Sequence, residues 1–274
     1  MFSFQFLERG LHSLKWTLFL LTLPLTTSSQ HMEIPGAENS INIPQTEDFA
    51  ISGTGENERW KNTSWISLIQ RKGDQIFTTR AKLMYSKKGI YVLFSCEDQK
   101  ITSTLEKDFT NLYTEDVVEI FFWPHEKDSL YFEYEISPNN FELPILVPNH
   151  QGTFFGWLPW HYEGGRKTIH KTSIERKGNN GKVQSWTAEI FIPFALLRPL
   201  QNVPPSKGTY WRVNLYRIDY DESPPSQWTW QPVKSTFHDI KHFGYLFFNW
   251  FFWRSRDNLI AHNSEIFELL LSWN

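Results

Sequence analysis

A single cysteine, Cys96, is all the thiol the 274-residue chain has, so no internal disulfide can staple it and stability must come from a packed core. Its strand-like neighbours Ile90 and Phe94 suggest a buried thiol, not a nucleophile. Metal spacing is missing too. The nine histidines form no His-Glu-x-x-His pair and there is no Cys-x-x-Cys, which removes the sequence case for a zinc enzyme. No Gly-x-Gly-x-x-Gly fingerprint, phosphate-binding glycine-lysine loop or Gly-x-Ser-x-Gly elbow occurs, so nucleotide-dependent and serine-hydrolase chemistry have no footing. An excess of positive charge is likewise absent. The formal net charge is −3 and the basic residues form no stripe, so no nucleic-acid partner is expected. Long apolar runs are scarce: residues 16–25, preceded by Arg9 and Lys15 and closing in Thr26, Thr27, Ser28 and Ser29, are too short for a membrane span. They have the length and small-residue exit of an export signal. Residues 1–30 are therefore expected to be a signal peptide or hydrophobic leader, and the protein to be secreted, periplasmic or at the cell surface. A membrane partner is expected only if that segment is retained as an anchor.

What the chain does have is indole. Thirteen tryptophans accompany a hydrophobic content of 40%, so the surplus lies in flat rings more than in aliphatic bulk and suggests stacking surfaces as well as core. Alternation of period two is the dominant pattern. Ala81, Leu83 and Tyr85 share one face, Lys87-Lys88-Gly89 turns the chain, and Ile90, Val92, Phe94 and Cys96 line the return. Residues 117–123 are expected to pair with 130–137 across a polar turn, and Pro138-Asn139-Asn140 to stop the second strand. Strands are also expected at 167–176 and 183–191 around an Asn-Gly turn, at 209–219 and at 243–248, with a short helical turn after Pro193. About eight short strands with no long amphipathic helix predict an all-β, two-sheet antiparallel β-sandwich over residues 31–250. Residues 31–59 read as a leader that joins the domain late, 221–231 as a loop, and 251–274 as a tail, helical or poorly ordered.

Sugars present apolar C–H faces inside a rim of hydroxyls, so a site for them wants aromatic planes with charged or amide groups around them. Trp157, Trp160, Trp228 and Trp230 fall in loop-like sequence, where each either caps the core or offers a face to a ligand. Trp186 and Trp211 alternate in phase with aliphatic residues and belong to the core. Arg80, Glu133, Asn214 and Arg217 are polar positions in or beside strands; the two arginines can each fork hydrogen bonds to vicinal hydroxyls, or pair with surface carboxylates. Glu133 and Glu135 share a face about 7 Å apart by strand rise, within the roughly 6.5–9.5 Å of an inverting carboxylate pair. Nothing in the neighbouring sequence is built to raise either pKa, so no catalytic residue is assigned. Asp116 with Glu119 offers hard oxygen ligands, but no contiguous calcium loop exists. Asn62-Thr63-Ser64 matches a glycan acceptor in a eukaryotic host, and His238 and His242 are read as shaping the last loop.

Six segments in order carry a resemblance: Leu83-Met84-Tyr85 with residues 90–94; Glu115-Asp116-Val117-Val118-Glu119-Ile120-Phe121-Phe122; residues 131–138; residues 186–194; Trp211-Arg212-Val213-Asn214-Leu215-Tyr216-Arg217; and Phe237-His238 followed by Phe243-Gly244. Together they resemble the carbohydrate-binding module family 9-like domain, of the DOMON-like β-sandwich superfamily, over residues 40–250. The resemblance implies a sandwich that binds glucans, xylans or small sugars, often between two tryptophans, with a structural calcium ion and no other cofactor. It implies oligo- or polysaccharide partners, secreted glycoside hydrolases alongside, and a part in carbohydrate catabolism. The expected function is non-catalytic carbohydrate binding. A glycoside hydrolase acting on O-glycosyl bonds and a DOMON-like cofactor-binding redox module are the alternatives.

Overall fold

The structure is a computed structural model that describes residues 39–249 apart from 151, 161, 179, 180 and 207. The expected leader at 1–30 and tail at 251–274 lie outside the described residues.

The elements are strands β1 (Ser40–Pro44), β2 (Ile66–Lys72), β3 (Thr79–Tyr85), β4 (Gly89–Glu97), β5 (Val117–Trp123), β6 (Leu130–Ile136), β7 (Glu142–His150), β8 (Thr153–Phe154), β9 (Leu158–Pro159), β10 (Ile169–Lys177), β11 (Lys182–Pro193), β12 (Tyr210–Asp219), β13 (Ser226–Thr229) and β14 (Gly244–Asn249). Helix is confined to single turns, among them α1 (Phe194–Leu197) directly after Pro193. One layer runs β10-β11-β4-β3-β2, the other β13-β12-β5-β6-β7, with β14 on β12 and the short β8 and β9 on β7. β2 joins the layers, pairing β3 through residues 66–68 and β13 through residues 69–72, where a bulge at Gln227/Trp228 bends the ladder. This is the expected sandwich. Its one parallel pair among the named strands is β1 with β14.

Period-two alternation decides which side chains meet between the layers. Leu83, Ile90, Val92 and Phe94 from one sheet face Ile120, Phe122, Phe132, Tyr134, Trp211 and Leu215 from the other, joined by Trp186, in one buried cluster. Each sheet also has a covered outer face. On the first, Met84, Tyr91 and Leu93 lie under Ile51 and Trp60. The Glu189 carboxylate, fully buried there, accepts hydrogen bonds from Trp60 Nε1 (2.8 Å) and from the Ser52 and Gly53 amides (2.9 and 2.8 Å). The described part of the segment read as a late leader, residues 39–59, is therefore integral, supplying β1 and, through Ile51, part of the cover of this sheet. On the second sheet, Phe121, Tyr131, Ile145 and Tyr216 pack beneath Leu112, Ile240 and Phe243 from the loops above.

Six strands escape the sequence pattern: β1, β2, β7, β13 and the two-residue β8 and β9. β7 carries Pro144 and Pro148, residues that argue against a central strand, yet it pairs β6 along its length because each proline needs to supply only an acceptor; Pro144 O takes the Trp160 amide (2.8 Å). β2 and β13 are short and half exposed, so their alternation is blurred.

Gly244 opens β14 against the Trp230 ring, and a Cβ there would overlap Trp230 Cζ3 and Cη2 and come within 2.9 Å of the Asn39 carbonyl. Gly244→Ala is expected to lower stability by about 1–3 kcal/mol, the usual range for overpacking, read as a lower midpoint in urea unfolding; an unchanged midpoint would mean that the indole swings aside freely.

Candidate functional site

The outer face of the second sheet opens into a cleft of about 400 Å³. Register builds its floor. Tyr216, Glu119 and Glu135 stand opposite one another across β12, β5 and β6, and Asn214, Phe121 and Glu133 form the next row. Alternation sends Glu119, Glu133 and Glu135 to this face, where all three are almost fully buried. Burial raises their pKa values. For Glu119 the charge of Glu135 adds to it, and for Glu133 the charges of both other glutamates do. Glu135 is pushed up to about 8, burial outweighing the hydrogen bonds it receives from Glu133 and the Tyr113 amide. Glu133 thus keeps a proton and donates it to Glu135. The expectation that nothing nearby would raise either pKa is corrected: burial raises both, and for Glu133 the cross-strand charge of Glu119 adds to that of Glu135.

Glu133 Oε2 and Glu135 Oε2 have no hydrogen-bond partner among the described residues. His238 Nδ1 lies 3.7 Å from that Glu133 oxygen, too far for a hydrogen bond, and 2.5 Å from Tyr131 Oη. Burial lowers the His238 pKa to about 4, so the ring is neutral at neutral pH. Burial also raises the Tyr131 phenol. The tyrosine therefore donates to Nδ1, which leaves the imidazole proton on Nε2.

Aromatic rings wall the cleft. Tyr113 and Phe154 are the more exposed, Trp157 and Phe237 half-buried. Phe154 stacks on His238 at 4.1 Å, and Phe237 on Tyr216 at 4.0 Å with the Arg71 guanidinium 5.4 Å from its ring. Arg71 is held in turn by Gln227 Oε1 (3.2 Å) and Ser235 O (3.0 Å). His238 is thus a wall of the cleft and not merely a loop shaper.

Of the eight residues offered in sequence as sugar contacts, Glu133 and Trp157 meet here. Others do not. Trp228, expected in a loop, sits in β13, 2% exposed beneath the Arg217 guanidinium at 4.8 Å. Arg217 is fully buried and paired with Asp98 and Asp219, so neither it nor Trp228 offers a ligand any surface. Asn214 is buried as well: Oδ1 accepts from the Leu215 and Gln231 amides, both at 2.9 Å, and Nδ2 donates to Gln231 O (3.0 Å) and Tyr216 Oη (2.8 Å). Trp160 packs against the inner core with Nε1 on Leu196 O (2.9 Å). Arg80 stacks on Trp65 at 4.3 Å, and Trp230 lines a separate groove beside Trp65. Sequence reading missed Tyr113, Phe154 and Phe237, which bring no indole, and Arg71, which lies in an unrecognised strand.

The profile described as carbohydrate family 9 binding domain-like matches residues 51–246. The chain belongs to that family. A curated relative of this family 9-like protein, named "Extracellular protein" in Arthroderma benhamiae, is 29% identical over 178 residues, 60% of this chain and 76% of its own. A candidate carbohydrate-binding protein from Bacteroides uniformis shares the fold at a TM-score of 0.63 and 16% identity, over 77% of this chain and 99% of that one. A family 9 carbohydrate-binding module from Caldicellulosiruptor kristjanssonii, solved with cellotriose, superposes at a TM-score of 0.55 and 18% identity over 80% and 96% of the two chains. Its complex with glucose gives 0.54 at 18% over 79% and 97%. Among the described residues no helix is long and apolar enough to cross a membrane.

The calcium expectation meets two donor sets. Asp116 already receives the Thr102 amide (2.6 Å) and the Tyr220 amide (2.8 Å), one on each oxygen, and the Glu119 carboxyl lies on the cleft floor. Asp98, Asp219 and Asp221 bring one oxygen each to within 4.8 Å of one another, but Arg217 holds the first two. That guanidinium supplies the positive charge an ion would bring, so the donor set does not fit calcium.

Proposed function

We propose that the outer-face cleft binds a saccharide without breaking it, a β-glucan, xylan or related sugar. The carrying observation is the meeting of aromatic walls with a buried carboxyl floor on which two oxygens lack protein partners. The rings accept the C–H faces of a sugar, while the spare carboxyl oxygens accept its hydroxyls in a site partly screened from water. Family membership and the saccharides held by the Caldicellulosiruptor module support the reading. The extracellular naming of the fungal relative supports action outside the cell. Carbohydrate catabolism beside secreted glycoside hydrolases is the role proposed for this chain there.

Titration calorimetry with cellotriose and xylotriose, and retardation in glucan and xylan gels, test it. Trp157→Ala and Tyr113→Ala are each expected to weaken binding about 10-fold, the effect of losing roughly 1.4 kcal/mol of stacking. Ile76→Ala, exposed and away from the cleft, is expected to leave binding unchanged. Undiminished binding by both aromatic variants, folded as judged by their melting curves, would move the site elsewhere.

A further inference from the structure

The chain has one Asn-x-Ser/Thr triplet, Asn62-Thr63-Ser64. The structure sets it on the rim of a groove of about 830 Å³ that shares no lining residue with the carboxyl-floored cleft. Asn62 is exposed, the last residue of a single 3-10 turn (Glu58–Asn62). Thr63 follows in extended conformation (φ −132°, ψ 146°), and its hydroxyl is engaged on Leu83 O at 3.1 Å. Anchoring at Thr63 holds the triplet in place while Asn62 and Ser64 stay exposed on either side of it.

The groove has the chemistry of a saccharide seat of a different kind from the cleft. Trp65 and Trp230 both line it, together with Asn42, Gln45 and Ser67, and no charged side chain is among the lining residues. Trp65 is braced from β3, where Arg80 and Lys82 stand two apart on one side of the strand and approach the ring at 4.3 and 4.8 Å. Lys82 is itself tied to Trp60 O at 2.6 Å. Trp230 is seated by Gly244. Two fixed indoles, amides, hydroxyls and no charge suit a neutral, hydroxylated, C–H-faced guest. The acceptor triplet at the rim can tether one.

We propose that Asn62 carries an N-linked glycan and that its first sugars lie in this groove against Trp65. In the step itself Asn62 Nδ2 attacks the anomeric carbon of a lipid-diphosphate-linked oligosaccharide. The C–N bond forms as the C–O bond to the diphosphate breaks, the amide proton passes to a base of the transferase, and the lipid diphosphate leaves. Export through a eukaryotic secretory route is the one requirement, and the fungal relative named as extracellular is consistent with it.

The test uses the full chain secreted from a yeast or filamentous fungal host. Intact mass is expected to fall on treatment with a peptide N-glycosidase, with the modified peptide mapping to Asn62. That loss disappears in Asn62→Gln and in Ser64→Ala and persists in Ser64→Thr. An unmodified Asn62 in the secreted protein would overturn the proposal. For the seat, removing the glycan enzymatically is expected to lower the melting midpoint by about 2–4 °C, and to leave Trp65→Ala unchanged. Equal shifts in both proteins would overturn the placement in the groove. A second readout does not depend on that variant's stability: oxidation of the Trp65-containing peptide in hydroxyl-radical footprinting of the wild type, read by mass spectrometry, is expected to rise about twofold on deglycosylation, and no change would count against the seat. Retention of the deglycosylated protein on glucan that Trp65→Ala abolishes would overturn it too, because the groove would then serve free polysaccharide.

Discussion

Arg217→Ala is expected to cost about 3–5 kcal/mol of stability, the range for removing one partner of a buried ion pair. For a domain of this size that is a fall of roughly 10 °C in melting midpoint. Arg217 is fully buried and makes hydrogen bonds to four groups: Asp98 (3.0 Å), Asp219 (2.6 Å), Glu97 O (2.7 Å) and Thr79 Oγ1 (3.1 Å). Its flat face covers Trp228. One side chain on β12 thereby binds β3, the end of β4 and β13, at the place where β2 carries hydrogen bonding from one layer to the other. Removing it leaves Asp98 and Asp219 buried with no counter-charge. Burial already lifts Asp98 to about 6 with the arginine opposing it, so the variant must take up protons or admit water. The defect is therefore expected to shrink between pH 7 and pH 5, and Asp98→Asn is expected to rescue part of it. Urea unfolding at both pH values measures this; equal loss at pH 5 and pH 7 would place the effect in lost packing over Trp228.

That arginine also shows where sequence reading stops. The phase of β12 is legible from Trp211, Val213 and Leu215, and Arg217 continues it inward; its chemistry pointed to the surface while its position pointed to the core, and position won because Asp98 and Asp219 were waiting. The hairpins β3/β4 and β5/β6 were legible because strong alternation and polar turns agree. Trp228 was misplaced because prolines at 224 and 225 made its short strand read as loop. The cleft was half legible. Glu133 and Glu135 declare their shared face by spacing two, but Glu119 joins them only through cross-strand register, which a single sequence does not print. Tyr113, Phe154 and Phe237 come from three separate loops or edges, and their convergence is a property of the folded sheet.

The floor of that cleft makes the protein more stable in mild acid than at slightly alkaline pH. Glu119, Glu133 and Glu135 bind their protons more tightly folded than unfolded, so their contribution is complete below about pH 4.5 and is lost as the pH rises through the folded values, about 8 for Glu135. Asp98, raised to about 6, and Asp116, raised to about 7, act in the same direction, burial being the first cause for both. His238 opposes them between its folded value of about 4 and its ordinary 6.5, because it folds neutral. These five carboxyls, with Asp221 also raised by burial, outweigh the imidazole and the exposed or half-exposed Asp48, Glu115 and Asp239, whose hydrogen bonds outweigh burial and lower them. Stability is therefore expected to peak near pH 5 and to fall toward pH 8 by an amount on the order of 2 kcal/mol or more, since each unit of pKa shift is worth about 1.4 kcal/mol. Glu133→Gln removes a carboxyl that must hold a proton to stay buried while keeping the shape. It is expected to raise the pH 8 midpoint by several degrees and flatten the profile, and at the same time to weaken saccharide binding, because an amide oxygen accepts a hydroxyl less strongly than a carboxyl poised to ionise. The opposition of the two effects is the diagnostic, since a floor kept only for packing would gain stability in this variant and lose no affinity. Scanning calorimetry across pH 5–8 on the wild type and Glu133→Gln, with and without cellotriose, separates the outcomes: a stabilised variant that still binds as tightly as the wild type would take these carboxyls out of the saccharide site.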